Sequence, residues 1–162
     1  MKTALIPGSF DPMTVGHADI IERTAKIFDS VVVAVMINEN KRYSFSIEER
    51  QRIAELSLAH LENVRVVSYT GWLYELFDIV GADVIVKGIR NANDLEYENS
   101  MAAFNIDKNQ RAHTLYIPSS KELSDVSSTI FRNTEDKIVA VEKYICQNAR
   151  SYVLGLIKED KK

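Results

Sequence analysis

The run Ser30–Ile37 constrains the fold of this chain more than any other stretch, because seven apolar side chains follow Ser30 in succession. It is far shorter than the roughly 18 apolar residues of a membrane span. A continuous, mostly β-branched run of this length is typical of a strand buried on both faces of a parallel sheet. Parallel strands need crossover connections, usually helices, so strands and helices should alternate along the chain.

The remaining apolar segments show this alternation. Ser46 and Glu49 form a capping box that opens a helix extending to about Leu61. Gly81 is placed to end the following helix, and the sequence after residue 129 has helical patterns to its end. Besides Ser30–Ile37, strands are predicted at residues 4–6, 64–68, 83–87 and 114–118.

These elements predict one α/β domain over residues 1–162. It is a single five-stranded parallel sheet with helices on both faces, Rossmann-like and doubly wound, followed by a helical C-terminus. The order assumed for this class is 3-2-1-4-5, which puts strands one and four at the switch point. Ligands of such sheets bind beyond the carboxyl ends of the strands, so the loops that follow the strands should carry the chemistry.

Composition narrows the class of protein. A chain of 162 residues with 46% hydrophobic residues can bury one core. A net charge of −3 argues against a general nucleic-acid binder, and no stretch is long and apolar enough to predict a membrane span. Cys146 is the only cysteine, so no intramolecular disulfide can form, and we interpret it as a packed structural thiol. The sequence predicts a cytoplasmic protein.

The loops after the strands contain hydroxyls and cations. Residues 8–17 form a strand-to-helix turn of the kind that binds anions, although its glycines match neither a Walker A loop nor a G-x-G-x-x-G fingerprint. Lys41 follows the second strand, Lys87 and Arg90 follow the fourth, and the hydroxyls of residues 127–129 follow the fifth. Converging cations and hydroxyls predict a polyphosphate substrate.

His17 is the unusual residue of the first loop. A histidine on a helix is more often a surface or packed residue, and His60 and His113 are interpreted in that way. One turn into a helix that opens a phosphate-type loop, however, a histidine would stay neutral and donate a hydrogen bond to phosphate.

Other polar residues have more than one interpretation. The hydroxyls of residues 127–129 either cap a helix or bind a terminal phosphate. Lys87 ends an apolar strand, where burial would require an anionic partner. Asp94, Glu96 and Glu98 lie at a helix start, where carboxylates favour the helix dipole.

Residues 8–17 read G-S-F-D-P-M-T-V-G-H and resemble the T/H-x-G-H signature of the nucleotidylyltransferase superfamily. The form D-P-x-T-x-G-H within it is similar to that of the bacterial pantetheine-phosphate adenylyltransferases. The resemblance covers nearly the whole chain in order. It continues through Lys41, Asn105 and residues 45–50, 87–90, 94–98, 118–119 and 126–129.

This resemblance implies transfer of the adenylyl group of ATP to 4′-phosphopantetheine, which gives dephospho-coenzyme A and pyrophosphate in coenzyme A biosynthesis. His17 is the implied catalytic residue, stabilising the transition state at the α-phosphate. The resemblance assigns ATP binding to Ser9, Phe10, His17, Gly88, Ile89, Arg90, Glu98, Leu123, Ser124, Asp125, Val126, Ser127, Ser128 and Thr129. It assigns phosphopantetheine binding to Ser9, Lys41, Leu73 and Lys87.

The resemblance also has implications for cofactor, base and assembly. Mg²⁺ is implied, held mainly by the phosphates of ATP. The attacking phosphate monoester, with a second pKa of about 6, is largely ionised at neutral pH, so no general base is expected. A homohexamer is implied, with no nucleic-acid or membrane partner. Ser9 stands where relatives commonly have threonine, and Lys87 where many have arginine.

Two alternatives stay open from sequence. One is another small-molecule nucleotidylyltransferase of the cytidylyl or nicotinamide mononucleotide type. Those relatives tend to carry a second histidine in the first motif, where this chain has residues 12–14 as Pro-Met-Thr. The other is a nucleotide-binding module without catalysis.

Overall fold

The chain is built on one parallel sheet. We describe it from a computed structural model, which describes residues 1–159, so the last three residues of the predicted helical C-terminus lie outside the described part. All strand pairs are parallel, and the order is β3-β2-β1-β4-β5, which confirms the order assumed from sequence. The strands are β1 (Thr3–Gly8), β2 (Ser30–Ile37), β3 (Val64–Thr70), β4 (Val84–Ile89) and β5 (Thr114–Pro118).

The interior position of β2, between β3 and β1, confirms the interpretation of its apolar run. Residues 31–35 have no exposed surface, because β1 and β3 flank the strand and helices cover both faces. The fourth strand extends further than residues 83–87, since Gly88 pairs with Ile117 and Ile89 with Pro118. This extension carries the backbone towards the edge of the sheet where ligands are expected.

Seven α-helices and two short 3₁₀-helices, Lys121–Leu123 and Gln147–Ala149, are assigned within residues 1–159. The second contains the predicted capping box: the Ser46 hydroxyl accepts the Glu49 N–H at 3.2 Å, and Glu49 Oε2 accepts the Ser46 N–H at 2.7 Å. It ends at Leu58, three residues before the predicted end. Gly81 has φ of +67° just after the third helix, as predicted for a helix stop. The helices are α1 (Val15–Ala25), α2 (Ile47–Leu58), α3 (Leu73–Ile79), α4 (Ala92–Lys108), α5 (Ser128–Asn133), α6 (Lys137–Tyr144) and α7 (Arg150–Glu159).

The two faces of the sheet are covered unequally. Helices α1, α2, α5, α6 and α7 pack on one face in the larger core, and α3 contributes Leu76 and Phe77 to a smaller core on the other. Helix α4 buries only Asn105 along its 17 residues, and Leu95 and Met101 on it are 38% and 40% exposed. One face of the sheet therefore carries an open helix beside the carboxyl ends of β4 and β5.

Two further features bear on function. No helix among residues 1–159 combines the length and apolarity needed to cross a bilayer.

Cys146 lies in the turn after α6 rather than on a helix, partly buried against the larger core. Burial raises the pKa of its thiol, which agrees with a packed structural role.

Candidate active site

A cleft of about 900 Å³ opens at the carboxyl ends of the strands, as the doubly wound topology predicts. Every strand or the segment after it contributes to the walls. Ile89, Ser124 and Asp125 were predicted for the site but are not among the described residues that line the cleft. The predicted residues that do line it are Ser9, Phe10, His17, Lys41, Leu73, Lys87, Gly88, Arg90, Glu98, Leu123, Val126, Ser127, Ser128 and Thr129.

His17 is fixed by the residue that begins its helix. Its Nδ1 atom lies 3.0 Å from the backbone nitrogen of Thr14, which donates to it, and 3.0 Å from the Thr14 hydroxyl. An Nδ1 atom that accepts from a backbone N–H carries no proton, so the neutral imidazole carries its proton on Nε2. His17 can therefore offer one N–H donor to a ligand in the cleft.

The surroundings of His17 keep it neutral. Burial, together with the positive charges of Arg90 and Lys87, lowers its pKa from 6.5 to about 4. At neutral pH the imidazole is thus a hydrogen-bond donor without charge, which agrees with the behaviour predicted from its place in the first helix.

The loop before His17 has an unusual backbone. Phe10 has φ of +45°, a left-handed conformation that is uncommon for an aromatic residue, and its side chain is buried. Its ring meets the His17 ring edge to face, with centroids 5.2 Å apart. Such strain persists only where the surrounding structure enforces it, and here it brings the Phe10 ring against the imidazole.

The buried side chain of Arg50 holds this loop through hydrogen bonds to backbone carbonyls. The side chain is 1% exposed, and its Nη1 donates to the carbonyls of Ser9 at 2.7 Å and Met36 at 3.1 Å. The guanidinium also lies 3.9 Å from the centre of the Tyr43 ring. One buried cation thereby joins the loops after β1 and β2.

The two cations after β4 have protein partners. Lys87 Nζ lies 3.1 Å from a carboxylate oxygen of Glu98, and Arg90 Nε lies 3.0 Å from one of Asp94. The predicted anionic partner of Lys87 is thus present. Of the three acidic residues expected to favour the dipole of α4, Asp94 lies in the first turn as predicted, while Glu96 and Glu98 lie beyond it. Asn91 caps the helix by accepting the Asp94 N–H.

The hydroxyl groups at the start of α5 cap the helix and form hydrogen bonds with neighbouring residues. Ser127 Oγ accepts the Ile130 N–H at 3.1 Å, which confirms the capping interpretation. Ser128 Oγ donates to the Pro12 carbonyl at 2.8 Å, and Arg132 donates to Thr129 Oγ1 at 3.2 Å. The second interpretation, phosphate binding, stays a prediction.

Helical periodicity did not reveal one wall of the cleft, although the family resemblance includes Asn105. Trp72 lines the cleft, is 56% exposed, and lies 6.1 Å from Tyr74 and 5.4 Å from Phe104 between ring centroids. Met101 and Asn105 of α4 complete this wall. Helical periodicity gave no signal for them, because the open side of α4 faces the cleft rather than a core.

Comparison with known proteins decides the family. The family described as cytidylyltransferase-like matches residues 5–134. A curated phosphopantetheine adenylyltransferase from Staphylococcus haemolyticus is 39% identical over 145 residues, which cover 90% of each chain. One from Actinobacillus succinogenes is 44% identical over 132 residues, 82% of each chain. The chain belongs to the phosphopantetheine adenylyltransferase family. The resemblance seen in the sequence is thereby confirmed.

The fold of this chain is also similar to that of a solved structure. A bifunctional NMN adenylyltransferase/ADP ribose pyrophosphatase from Francisella tularensis matches it with a TM-score of 0.70 at 18% identity. The match covers 97% of this chain and 50% of that one. At such identity the likeness concerns architecture alone, and it agrees with the Rossmann-like fold predicted from sequence.

Proposed function

We propose that this chain transfers the adenylyl group of ATP to 4′-phosphopantetheine, giving dephospho-coenzyme A and pyrophosphate. The observation that carries the proposal is the state of His17: a neutral N–H donor, fixed by Thr14, in one cleft with Lys87 and Arg90. Membership of a family whose curated members include phosphopantetheine adenylyltransferases supports the substrates.

The chemistry needs positioning and charge stabilisation. A phosphate oxygen of phosphopantetheine attacks the α-phosphorus of ATP, a new P–O bond forms, and the bond to the bridging β-phosphate oxygen breaks. Pyrophosphate leaves with the electron pair. No proton has to be removed, because the attacking phosphate, with a second pKa of about 6, is largely dianionic at neutral pH. His17 Nε2–H donates to an α-phosphate oxygen as negative charge develops there.

The nucleotide occupies the side of the cleft formed by β4 and α5. Arg90 supplies a planar fork for phosphate oxygens, and ATP must displace Asp94 from that fork. Glu98, Gly88, Leu123 and residues 126–129 complete the nucleotide site, with Ser9 and Phe10 in the loop before His17.

Phosphopantetheine occupies the side formed by the loops after β2 and β3. Lys41, Lys87 and Ser9 meet its phosphate, and Leu73 lies along its pantetheine arm. Asn105 supports this placement: it is 3% exposed and lines the cleft, so its side-chain amide is placed to exchange hydrogen bonds with the amide groups of a pantetheine arm.

Mg²⁺ enters as part of the nucleotide in this proposal. Residues 1–159 contain no group of three or more histidine, cysteine or carboxylate side chains placed to hold a metal. The carboxylates nearest the cations, Asp94 and Glu98, are already paired. The triphosphate therefore supplies most of the ligands, and the metal neutralises its charge.

Assembly and location are also proposed. We retain a single domain over residues 1–162, the cytoplasm, and a homohexamer. Two apolar side chains outside the cleft support self-association, since Leu95 of α4 is 38% exposed and Leu115 of the edge strand β5 is 51% exposed. Sedimentation should give six times the subunit mass of 18.4 kDa, and Leu115→Lys should lower it if this surface is used.

A panel of substrates tests the activity. Pyrophosphate release is measured with ATP plus phosphopantetheine, with ATP plus nicotinamide mononucleotide, and with CTP plus glycerol phosphate. Only the first pair should react. Release with another pair would identify a different nucleotidylyltransferase, and no release with any pair would favour a binding module.

The His17→Ala variant tests the assignment of the catalytic residue in the same assay. It should lower kcat by about 10²- to 10³-fold with a smaller change in KM, the loss typical of removing one donor to a developing oxyanion. Equal rates for the two proteins would remove His17 from the mechanism.

A further inference from the structure

Asp11 is a buried carboxylate that the reaction does not use. It is 3% exposed, and its side chain accepts the backbone N–H groups of Ser44 at 2.8 Å and Phe45 at 3.0 Å. Arg132 approaches from α5, with Nη1 3.9 Å from the carboxylate and 2.8 Å from the Asp11 carbonyl oxygen. One residue thus joins the loop after β1, the segment before α2 and the last turn of α5.

The segment that Asp11 holds carries Lys41. Residues 38–46 contain neither strand nor helix, so their position depends on tertiary contacts. Besides the Asp11 contacts, they are held by Tyr43, whose hydroxyl oxygen accepts the Asn38 N–H at 2.7 Å and whose ring lies on Arg50. Lys41 itself is exposed at the mouth of the cleft. The Lys41 N–H donates to the Asn38 carbonyl at 2.9 Å, so the place of Lys41 depends on Asn38, which Tyr43 holds, and on the contacts of Asp11 just after it.

We propose that Asp11 is a positioning residue that sets the place of Lys41, and with it the binding of the phosphate of the acceptor substrate. The inference rests on the proposed binding of phosphopantetheine by Lys41. A carboxylate suits the task because it accepts from two neighbouring N–H groups at once. An asparagine of the same shape can accept from one of them and turns its NH₂ group towards the other.

Steady-state kinetics of Asp11→Asn provide the first measurement. We expect KM for phosphopantetheine to rise about tenfold, equivalent to about 1.4 kcal/mol, while KM for ATP changes less than about twofold. Equal rises in both constants would show a general loss of structure and overturn the proposal. Asp83→Asn is the control, because its carboxylate also accepts a backbone N–H, that of Thr3 at 2.8 Å, but at the amino-terminal ends of β1 and β4, away from the cleft.

A double-mutant cycle with Lys41→Ala separates positioning from stability. If Asp11 acts through Lys41, Asp11→Asn should change KM for phosphopantetheine by less than about twofold once Lys41 is absent. Fully additive effects would overturn the proposal. If Lys41→Ala alone leaves this KM unchanged in an active enzyme, Lys41 does not bind the acceptor and the proposal also fails, although the activity stands.

Tyr43→Phe keeps the proposal testable if Asp11→Asn folds poorly. It removes the hydroxyl that holds Asn38 and leaves the core intact, and it should give the same selective rise and the same loss of effect in Lys41→Ala. A rise in KM for ATP as large as that for phosphopantetheine would contradict the proposal here too.

Discussion

The Nδ1 atom of His17 accepts the backbone N–H of Thr14 at 3.0 Å, so the start of α1 determines which nitrogen of the imidazole carries a proton. The same turn that opens the helix thereby prepares the donor for the cleft. Arg90 and Lys87, which lie at the end of β4, then disfavour a second proton. Tautomer and charge of one side chain are thus fixed by two neighbouring parallel strands and the segments that follow them.

The first prediction concerns the titration of His17. NMR of the ring should show a midpoint near pH 4, because burial and two cations lower the pKa to about 4. Since the unfolded chain binds a proton near pH 6.5, stability should be complete above that pH and fall as the pH decreases towards 4. Arg90→Ala should raise the midpoint, and a midpoint at 6.5 in the wild type would contradict this account.

The second prediction concerns Arg90 and its resting partner. Arg90→Ala should raise KM for ATP while the thermal midpoint stays nearly unchanged, because a half-exposed ion pair contributes only about 0–1 kcal/mol. Asp94→Asn should lower KM for ATP, since the carboxylate competes with phosphate for the same fork. Glu96→Gln, exposed on the same helix, is the control. A large fall in the midpoint of Arg90→Ala would instead indicate a structural role.

The third prediction compares two arginines of α2. Arg50→Met should remove the hydrogen bonds to the partly buried carbonyls of Ser9 and Met36 and lower the free energy of unfolding by about 1–3 kcal/mol. Arg52→Met should change stability by less than about 0.5 kcal/mol, because Arg52 is exposed. Urea denaturation measures both. Equal effects would mean that burial of Arg50 does not matter.

The fourth prediction compares two glycines. A Cβ added at Gly88 would lie 2.9 Å from Cγ1 of Ile20, so Gly88→Ala should push α1 away from β4 and lower both stability and kcat. Ile20→Ala in the same protein should restore part of the loss. Gly155 lies in α7, and a methyl group added there would have no atom within 4 Å. Because alanine has the higher helix propensity, Gly155→Ala should raise the free energy of unfolding by about 0.5–1 kcal/mol. Equal changes in the midpoint of thermal unfolding for Gly88→Ala and Gly155→Ala would contradict this prediction.

Much of the site could be predicted because parallel topology gathers the loops. If Ser30–Ile37 is a buried strand of a parallel sheet, the loops that follow the strands must lie together at the carboxyl ends of the strands. His17, Lys87 and Arg90 do line one cleft there. What periodicity could not predict is the wall made by Trp72, Met101 and Asn105. A helix whose open side faces a cleft carries apolar residues that a pattern alone assigns to packing.

The sequence by itself determined the architecture, the family and the residue types of the site, because strand burial and motif order are properties of local sequence. Only the tertiary structure decided how those residues are used. The lowered pKa of His17 beside Lys87 and Arg90, the hydrogen bond from Arg50 to the carbonyl of Ser9, and the link from Asp11 to the segment of Lys41 depend on distances between distant parts of the chain. Such distances follow from packing, which no single stretch of sequence encodes.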